Sequence, residues 1–246
     1  KCVGCKFCGT YSLTDEDVLE FNTEKNIRDY FTKLLMVNNI ESMRNIENVT
    51  ICTGCFESED KLIDHLLLVN ETFKNMDFNG SINYIGSQLR DYDKIKMLSN
   101  EIDDFGLYLT IEKFLDREKS MRPEKASLTI DKAKELLEYC SSLGLTTTFL
   151  YILGLEDLET IEHYFNYLKG SINKFPIIQV FQNYTPYQEM YRCEEAKDVE
   201  FYIKARMIID DIFKNKEEMK PKTWECFRSL YFDDKEKSGG KVRCKK

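Results

Sequence analysis

Cys2, Cys5 and Cys8 stand in a C-x2-C-x2-C spacing within Lys1-Cys2-Val3-Gly4-Cys5-Lys6-Phe7-Cys8-Gly9-Thr10, and thiols so placed can converge on one metal centre. The chain shows no secretory signal segment, although it starts at Lys1 and anything upstream is out of view. The nine cysteines are therefore read as reduced, in a cytoplasmic setting where such a group holds metal rather than disulfides. Three thiolates leave one coordination position to another ligand, which points to an iron–sulfur cluster with one open iron.

Further candidates for chemistry sit where apolar runs end. Thr53-Gly54-Cys55 follows Val49-Thr50-Ile51-Cys52, and a glycine in such a turn lets a ligand approach the main chain closely. Glu112 ends Leu107-Tyr108-Leu109-Thr110-Ile111, with Arg117 and Arg122 just beyond. Leu153-Gly154-Leu155 ends the run from Thr146 to Ile152, and Ser87, Gln88, Arg90, Gln182, Asn183, Tyr184 and Tyr187 follow two other runs.

The elements that must position these residues alternate in period. A capping box at Thr14-Asp15-Glu16-Asp17 and apolar residues Val18, Phe21, Ile27, Tyr30, Phe31 and Leu34 predict a first helix. The spacing then predicts a strand from Val49, a helix from Ser58, a strand and loop at Ile82–Ser87, and a strand at Leu107–Ile111. A helix over Thr129–Leu143 stopped by Gly144, a strand to Ile152, a helix closed by Gly170, a strand at Pro176–Phe181 and a helix over Asp198–Phe213 complete the pattern. Strands separated by helical crossovers pair in parallel with right-handed connections, so the fold class is α/β, a barrel or a doubly wound sheet.

Composition narrows the function classes. A chain of 246 residues, 42% hydrophobic, supports one sizeable core. A formal net charge of −8 argues against nucleic acid and anionic membrane surfaces, and no apolar run reaches the roughly 18 residues of a membrane span. The partner expected is a small-molecule substrate. The charged stretch from about Asp233, with Ser238-Gly239-Gly240, reads as a flexible tail.

These motifs resemble the radical S-adenosylmethionine (radical SAM) enzymes. That family places its cluster cysteines as C-x3-C-x2-C with an aromatic before the last; Cys5-Lys6-Phe7-Cys8 matches the second half, whereas Cys2 falls one residue short of the usual first spacing. The pattern is nearest to the biotin synthase, hydrogenase-maturase and aromatic amino acid lyase branch. The resemblance covers about residues 2–190. It implies a partial (β/α)6 TIM-like barrel over residues 1–214, a cluster loop at 1–12, and a C-terminal extension over 215–246. It also implies a [4Fe-4S] cluster on Cys2, Cys5 and Cys8, with S-adenosylmethionine on its open iron. Reductive cleavage would give a 5′-deoxyadenosyl radical that takes hydrogen from a small metabolite or amino-acid-derived substrate, with a flavodoxin- or ferredoxin-type electron donor.

By the same resemblance Thr53, Gly54 and Cys55 lie near the methionine amino group, Glu112 near the ribose or amino group, and Leu153 and Gly154 along the adenine. Arg117, Arg122 and Lys132 are candidates for the S-adenosylmethionine carboxylate, and Ser87 and Asn183 for the rim of the pocket. The family's final acidic position on this strand falls on Asp157, beside Glu156. Its first strand would lie upstream of Lys1, leaving the strand from Val49 with an unpaired edge for that segment, another chain or the stretch around Phe227-Arg228-Ser229-Leu230-Tyr231 to cover.

A second reading from another class stays open: a non-catalytic iron–sulfur or zinc protein for electron transfer or assembly, in which Cys52 and Cys55 add a second C-x2-C pair. Cys140 and Cys193 are read as packing residues, His65 and His163 as helix residues, and Cys226 and Cys244 as an insufficient pair for an auxiliary cluster.

Overall fold

β-Branched and aromatic runs alternate with amphipathic stretches along the chain, and each run becomes a strand by pairing with the neighbouring runs and packing against the helices between them. The computed structural model describes residues 4–8 and 21–214. Cys2, the capping box at Thr14–Asp17, Cys226, Cys244 and the stretch around Phe227–Tyr231 lie outside those residues.

Helix α1 spans Glu24–Val37 and starts later than the apolar spacing predicts, because the Thr23 hydroxyl accepts from the Asn26 amide and caps it there. Strand β1 (Asn48–Cys52), helix α2 (Glu59–Lys74, capped by Ser58) and strand β2 (Ser81–Gly86) follow the expected order. Helix α3 (Tyr92–Glu101) stands where the apolar spacing predicts only a loop; its core-facing stripe is only Ile95 and Leu98, and its start is fixed by the Asp91 carboxylate accepting from the amides of Asp93 and Lys94.

Strand β3 (Phe105–Glu112) leads into two single-turn helices, α4 (Arg117–Ser120) and α5 (Pro123–Ala126), and then α6 (Ile130–Ser142). Strand β4 (Thr146–Leu153), helix α7 (Leu158–Leu168), strand β5 (Ile177–Val180), a 3-10 segment at Pro186–Tyr191 and helix α8 (Val199–Ile212) end the described chain. Among the described residues no helix is long and apolar enough to cross a membrane.

The five strands pair in parallel in the order β1-β2-β3-β4-β5, so sheet order equals chain order and the sheet curls into a half-barrel with helices on its outer face. This is a partial TIM-like α/β fold. Among the described residues β1 has one strand neighbour, β2.

Alternation along each strand divides the apolar side chains between the two faces. Phe105, Leu107, Leu109 and Ile111 of β3 and Phe149, Tyr151 and Leu153 of β4 join the helices in the main core. Ile85, Tyr108 and Leu150 point the other way and form a separate cluster on the inner face. Glu112 is the only charged residue in any of the five strands, and it stands at a carboxyl end.

Candidate functional site

The cysteine loop lies across the carboxyl ends of β4 and β5. Phe7 and Cys5, both buried, pack with Met121, Leu155 and Phe181, and Cys8 lies against the same group. The Cys8 amide donates to the Cys5 carbonyl at 2.9 Å, which closes a tight turn and keeps the two thiols on one short loop. Two outside contacts hold that turn: the Lys6 amide donates to the Ser120 carbonyl at 2.8 Å, and the Gln188 side-chain amide donates to the carbonyls of Lys6 and Cys8 at 3.2 and 3.4 Å. Gln188 in turn accepts from the amides of Tyr184 and Thr185, so one buried side chain ties the cysteine loop to the segment after β5.

Glu112 faces the same mouth. The Lys113 amide reaches back to the Ile111 carbonyl at 2.8 Å, which places Glu112 at the centre of a three-residue turn with a φ of 65°. A positive φ there is strained for a residue with a Cβ and costs on the order of 1–3 kcal/mol. The strand pairing slips between Thr110 and Glu112, so the bulge and the turn together swing this carboxylate off the regular pleat. Its Oε1 meets Lys125 Nζ at 2.7 Å, with both side chains largely buried, while Oε2 is buried without a hydrogen-bond partner. Both Glu112 and Lys125 act electrostatically on Cys5 and on Cys52. Burial pushes the Cys5 thiol up and the Lys125 ammonium pulls it back towards ionisation; the same two causes act in the same order on Cys52.

The glycine turn after β1 is positioned from the neighbouring strand. Gln88 accepts from the Phe56 amide at 2.7 Å and donates to the Phe56 carbonyl at 2.9 Å, so Thr53-Gly54-Cys55 is pinned to the end of β2. Within it the Thr53 hydroxyl is buried without a partner, and Gly54 is exposed. Gly154, after β4, has a φ of 111°, and its carbonyl accepts from the Cys193 amide at 2.9 Å. Leu153 packs into the main core, and its carbonyl accepts from the Phe181 amide at 2.8 Å, extending the β4–β5 pairing to the rim.

Other expected site residues serve the scaffold. Arg117 is buried, and its guanidinium donates to the carbonyls of Ile111, Lys113 and Lys125, so it braces the loop after β3, with only Nε lacking a partner. Arg122 pairs with Glu124 at 3.0 Å, and Lys132 is exposed on the first turn of α6. Ser87 is buried and its carbonyl accepts from Arg90, while the exposed Asn183 accepts from Arg192.

Asp157 caps α7 by accepting from the Thr160 amide at 2.8 Å. Its neighbour Glu156 is the buried acid: its carboxylate accepts from the amides of Phe114 and Leu115 and from the Tyr151 hydroxyl, and burial pushes its pKa up. Gln188 and Lys125 were not singled out by the sequence reading; a glutamine two residues after a proline and a lysine in a charged run carry no local signal of their roles.

Among the described residues, no three His, Cys, Asp or Glu side chains gather closely enough to hold a metal ion, so Cys52 and Cys55 do not complete a zinc site with Cys5 and Cys8. A cavity of about 540 Å³ lies in the helix layer between α7 and α8, lined in part by Glu162, Asn166, Met207 and Asp211.

No protein-family model and no curated protein matches the sequence. The fold is similar to that of SuiB from Streptococcus suis in two crystal structures. The one bound to S-adenosylmethionine has a TM-score of 0.56 at 14% identity, over 88% of this chain and 46% of that one. The other has a TM-score of 0.57 at 14% identity, over 88% and 45%. The chain therefore spans less than half the length of these two structures, and what it shares with them is the fold.

Proposed function

We propose that this chain is a radical SAM enzyme whose mouth holds a [4Fe-4S] cluster on Cys2, Cys5 and Cys8, with S-adenosylmethionine beside it and a small metabolite or amino-acid-derived substrate on the inner face. The observation that carries the reading is the meeting of the Cys5–Cys8 turn with Glu112 at the carboxyl ends of the strands, in a fold similar to that of a structure bound to S-adenosylmethionine. The donor set fits the group: soft cysteine thiols on a short loop suit iron–sulfur ligation, and the orphaned Glu112 Oε2 awaits a hydrogen-bond donor. A cluster held there by Cys2, Cys5 and Cys8 would supply one-electron reduction and an open iron, the chemistry needed for reductive cleavage of S-adenosylmethionine.

The chain's own residues do the positioning. Gln188 and the Ser120 carbonyl fix the cysteine turn, and Phe7, Met121, Leu155 and Phe181 keep water from its inner side. Glu112 offers Oε2 to an ammonium or hydroxyl of the ligand, and Lys125, bonded to Oε1, orients the carboxylate. Gly154, buried beneath Tyr202, Phe181 and Ala196 with a φ of 111°, makes the turn at the end of β4 that a side chain would hinder, and Thr53 presents a hydroxyl with no other partner at the end of β1. A flavodoxin- or ferredoxin-type protein is the reductant expected for such a centre.

Anaerobic reconstitution with iron and sulfide, followed by metal analysis and electron paramagnetic resonance with and without S-adenosylmethionine, tests the reading. Expected are about four irons per chain, a reduced signal that changes when S-adenosylmethionine is added, and release of 5′-deoxyadenosine with dithionite. Stoichiometric zinc without iron, or a signal indifferent to S-adenosylmethionine, overturns it.

A further inference from the structure

The inner face of the half-barrel carries an acid-free group of hydrogen-bond donors below the mouth. Lys174 comes from the loop before β5, and its Nζ donates to the Tyr108 hydroxyl at 2.5 Å while lying 4.8 Å from the centre of that ring. No carboxylate pairs with this ammonium among the described residues. The Tyr108 hydroxyl accepts this bond, which leaves its own proton free to donate. Asn83 is 1% exposed, its Nδ2 has no partner, and its Oδ1 lies 2.1 Å from where a Cβ on Gly106 would stand, so the amide lies over Gly106 on the same face as Tyr108. By strand register Asn83 is opposite Gly106 and Ile85 is opposite Tyr108, which sets the amide one row below the phenol.

A buried amide without a partner costs free energy that a native site recovers from a ligand, and an ammonium without a carboxylate partner, held on Tyr108 one row along the same face, gives that ligand a sign. One positive charge and two neutral donors suit a monoanion; a phosphate dianion calls for a second cation or a helix N-terminus, and neither stands in this group. Above the donors Ile85, Leu150, Ile152 and Ile177 form one apolar cluster, with Thr110 opposite Leu150 as the polar residue of β3 on this face. From Tyr108 to Glu112 is four residues of strand, about 13 Å at 3.3 Å each, so a molecule anchored at Tyr108 reaches the mouth with a body of small-metabolite size.

We infer that the inner face binds the carboxylate of an amphiphilic small molecule through Lys174, Tyr108 and Asn83, with its apolar part along Ile85, Leu150 and Ile152 towards the cysteine loop. That this molecule is the substrate rests on the function proposed above; the anion site itself does not.

The test uses the full chain without S-adenosylmethionine or reductant, titrated by calorimetry with straight-chain carboxylates from propionate to octanoate, their primary amides and the matching alkyl phosphates. The wild-type protein binds the best carboxylate at least tenfold tighter than its amide. Lys174→Gln abolishes that preference, Lys174→Arg retains it, and Tyr108→Phe weakens carboxylate binding several-fold; circular dichroism establishes that each variant is folded. No acid-over-amide preference anywhere in the series, a preference that survives Lys174→Gln, or tighter binding of the alkyl phosphates overturns the inference. If 5′-deoxyadenosine forms but no carboxylate preference exists, the anion site fails and the proposed reaction stands; if the preference exists without S-adenosylmethionine cleavage, the reverse holds.

Discussion

Glu112 Oε1 and Lys125 Nζ stand 2.7 Å apart in a pair whose side chains are 15% and 12% exposed, and the second oxygen of Glu112 bonds to nothing. The pair is anchored on a strained turn at one end and on a single-turn helix at the other, so its position is fixed by backbone on both sides. A half-satisfied carboxylate held this way is costly to the fold without its cation.

Lys125→Met therefore destabilises the protein by about 3 kcal/mol, the lower end for breaking a buried pair, because the carboxylate is left behind uncompensated. Glu112→Gly and Glu112→Ala both remove the charge, but only glycine relaxes the φ of 65°, so the glycine variant is the more stable by about 1 kcal/mol. Urea unfolding of the three variants checks the order; an alanine variant as stable as the glycine one would falsify the strain.

Gln188→Leu removes the Nε2 that donates to the carbonyls of Lys6 and Cys8 and the one oxygen, Oε1, that accepts from the amides of Tyr184 and Thr185. We expect a loss of about 1–3 kcal/mol and faster amide exchange at Lys6 and Cys8, with the helices of the outer face unchanged. Hydrogen exchange followed by mass spectrometry reads both regions at once, and equal protection of the cysteine turn in the two proteins excludes this role for Gln188.

Glu156 gives a pH signature. Burial raises its folded pKa above the usual 4.5, so the folded state binds the proton more tightly than the unfolded chain does. Its contribution is fully present below the unfolded value and is lost as pH rises through the folded one, so stability falls with pH in the window just above 4.5. Glu156→Gln removes that fall. Unfolding free energies of the two proteins from pH 4 to 8 should differ in slope in this window, and parallel profiles would contradict the assignment.

Cys140 has no solvent exposure, and burial pushes its thiol up to about 12, whereas Cys8 is half-buried on the cysteine turn. Alkylation of the metal-free protein at pH 8 should modify Cys8 in the folded state and Cys140 only after denaturant is added. Peptide mapping distinguishes the two, and modification of Cys140 at the rate of Cys8 would count against this packing.

The sequence reading anticipated all five strands because their runs are continuous, apolar and bounded by turn residues, as strands buried on both faces require. It passed over α3 because two buried residues make too thin a stripe, and it began the first helix too early because Thr23 outcompetes the apolar spacing as a start signal. Glu112 and Gly154 were readable as strand-ending residues, and both stand at the rim. The roles of Gln188, Lys125 and Lys174 depend on contacts across 66 to 182 residues of chain or on a turn of backbone, and no local pattern encodes such contacts.

The sheet separates two kinds of apolar residue that the sequence mixes along every strand. The residues facing the helices are locked into one large cluster, where a lost methylene group is felt throughout the fold, whereas Ile85, Tyr108 and Leu150 form a small group of their own. Mutational drift can therefore rewrite the inner face position by position while the outer face keeps the chain folded. Libraries confined to Ile85, Tyr108, Leu150 and Ile177 should retain a high fraction of folded members and, if the inferred anion site holds, vary what the half-barrel accepts.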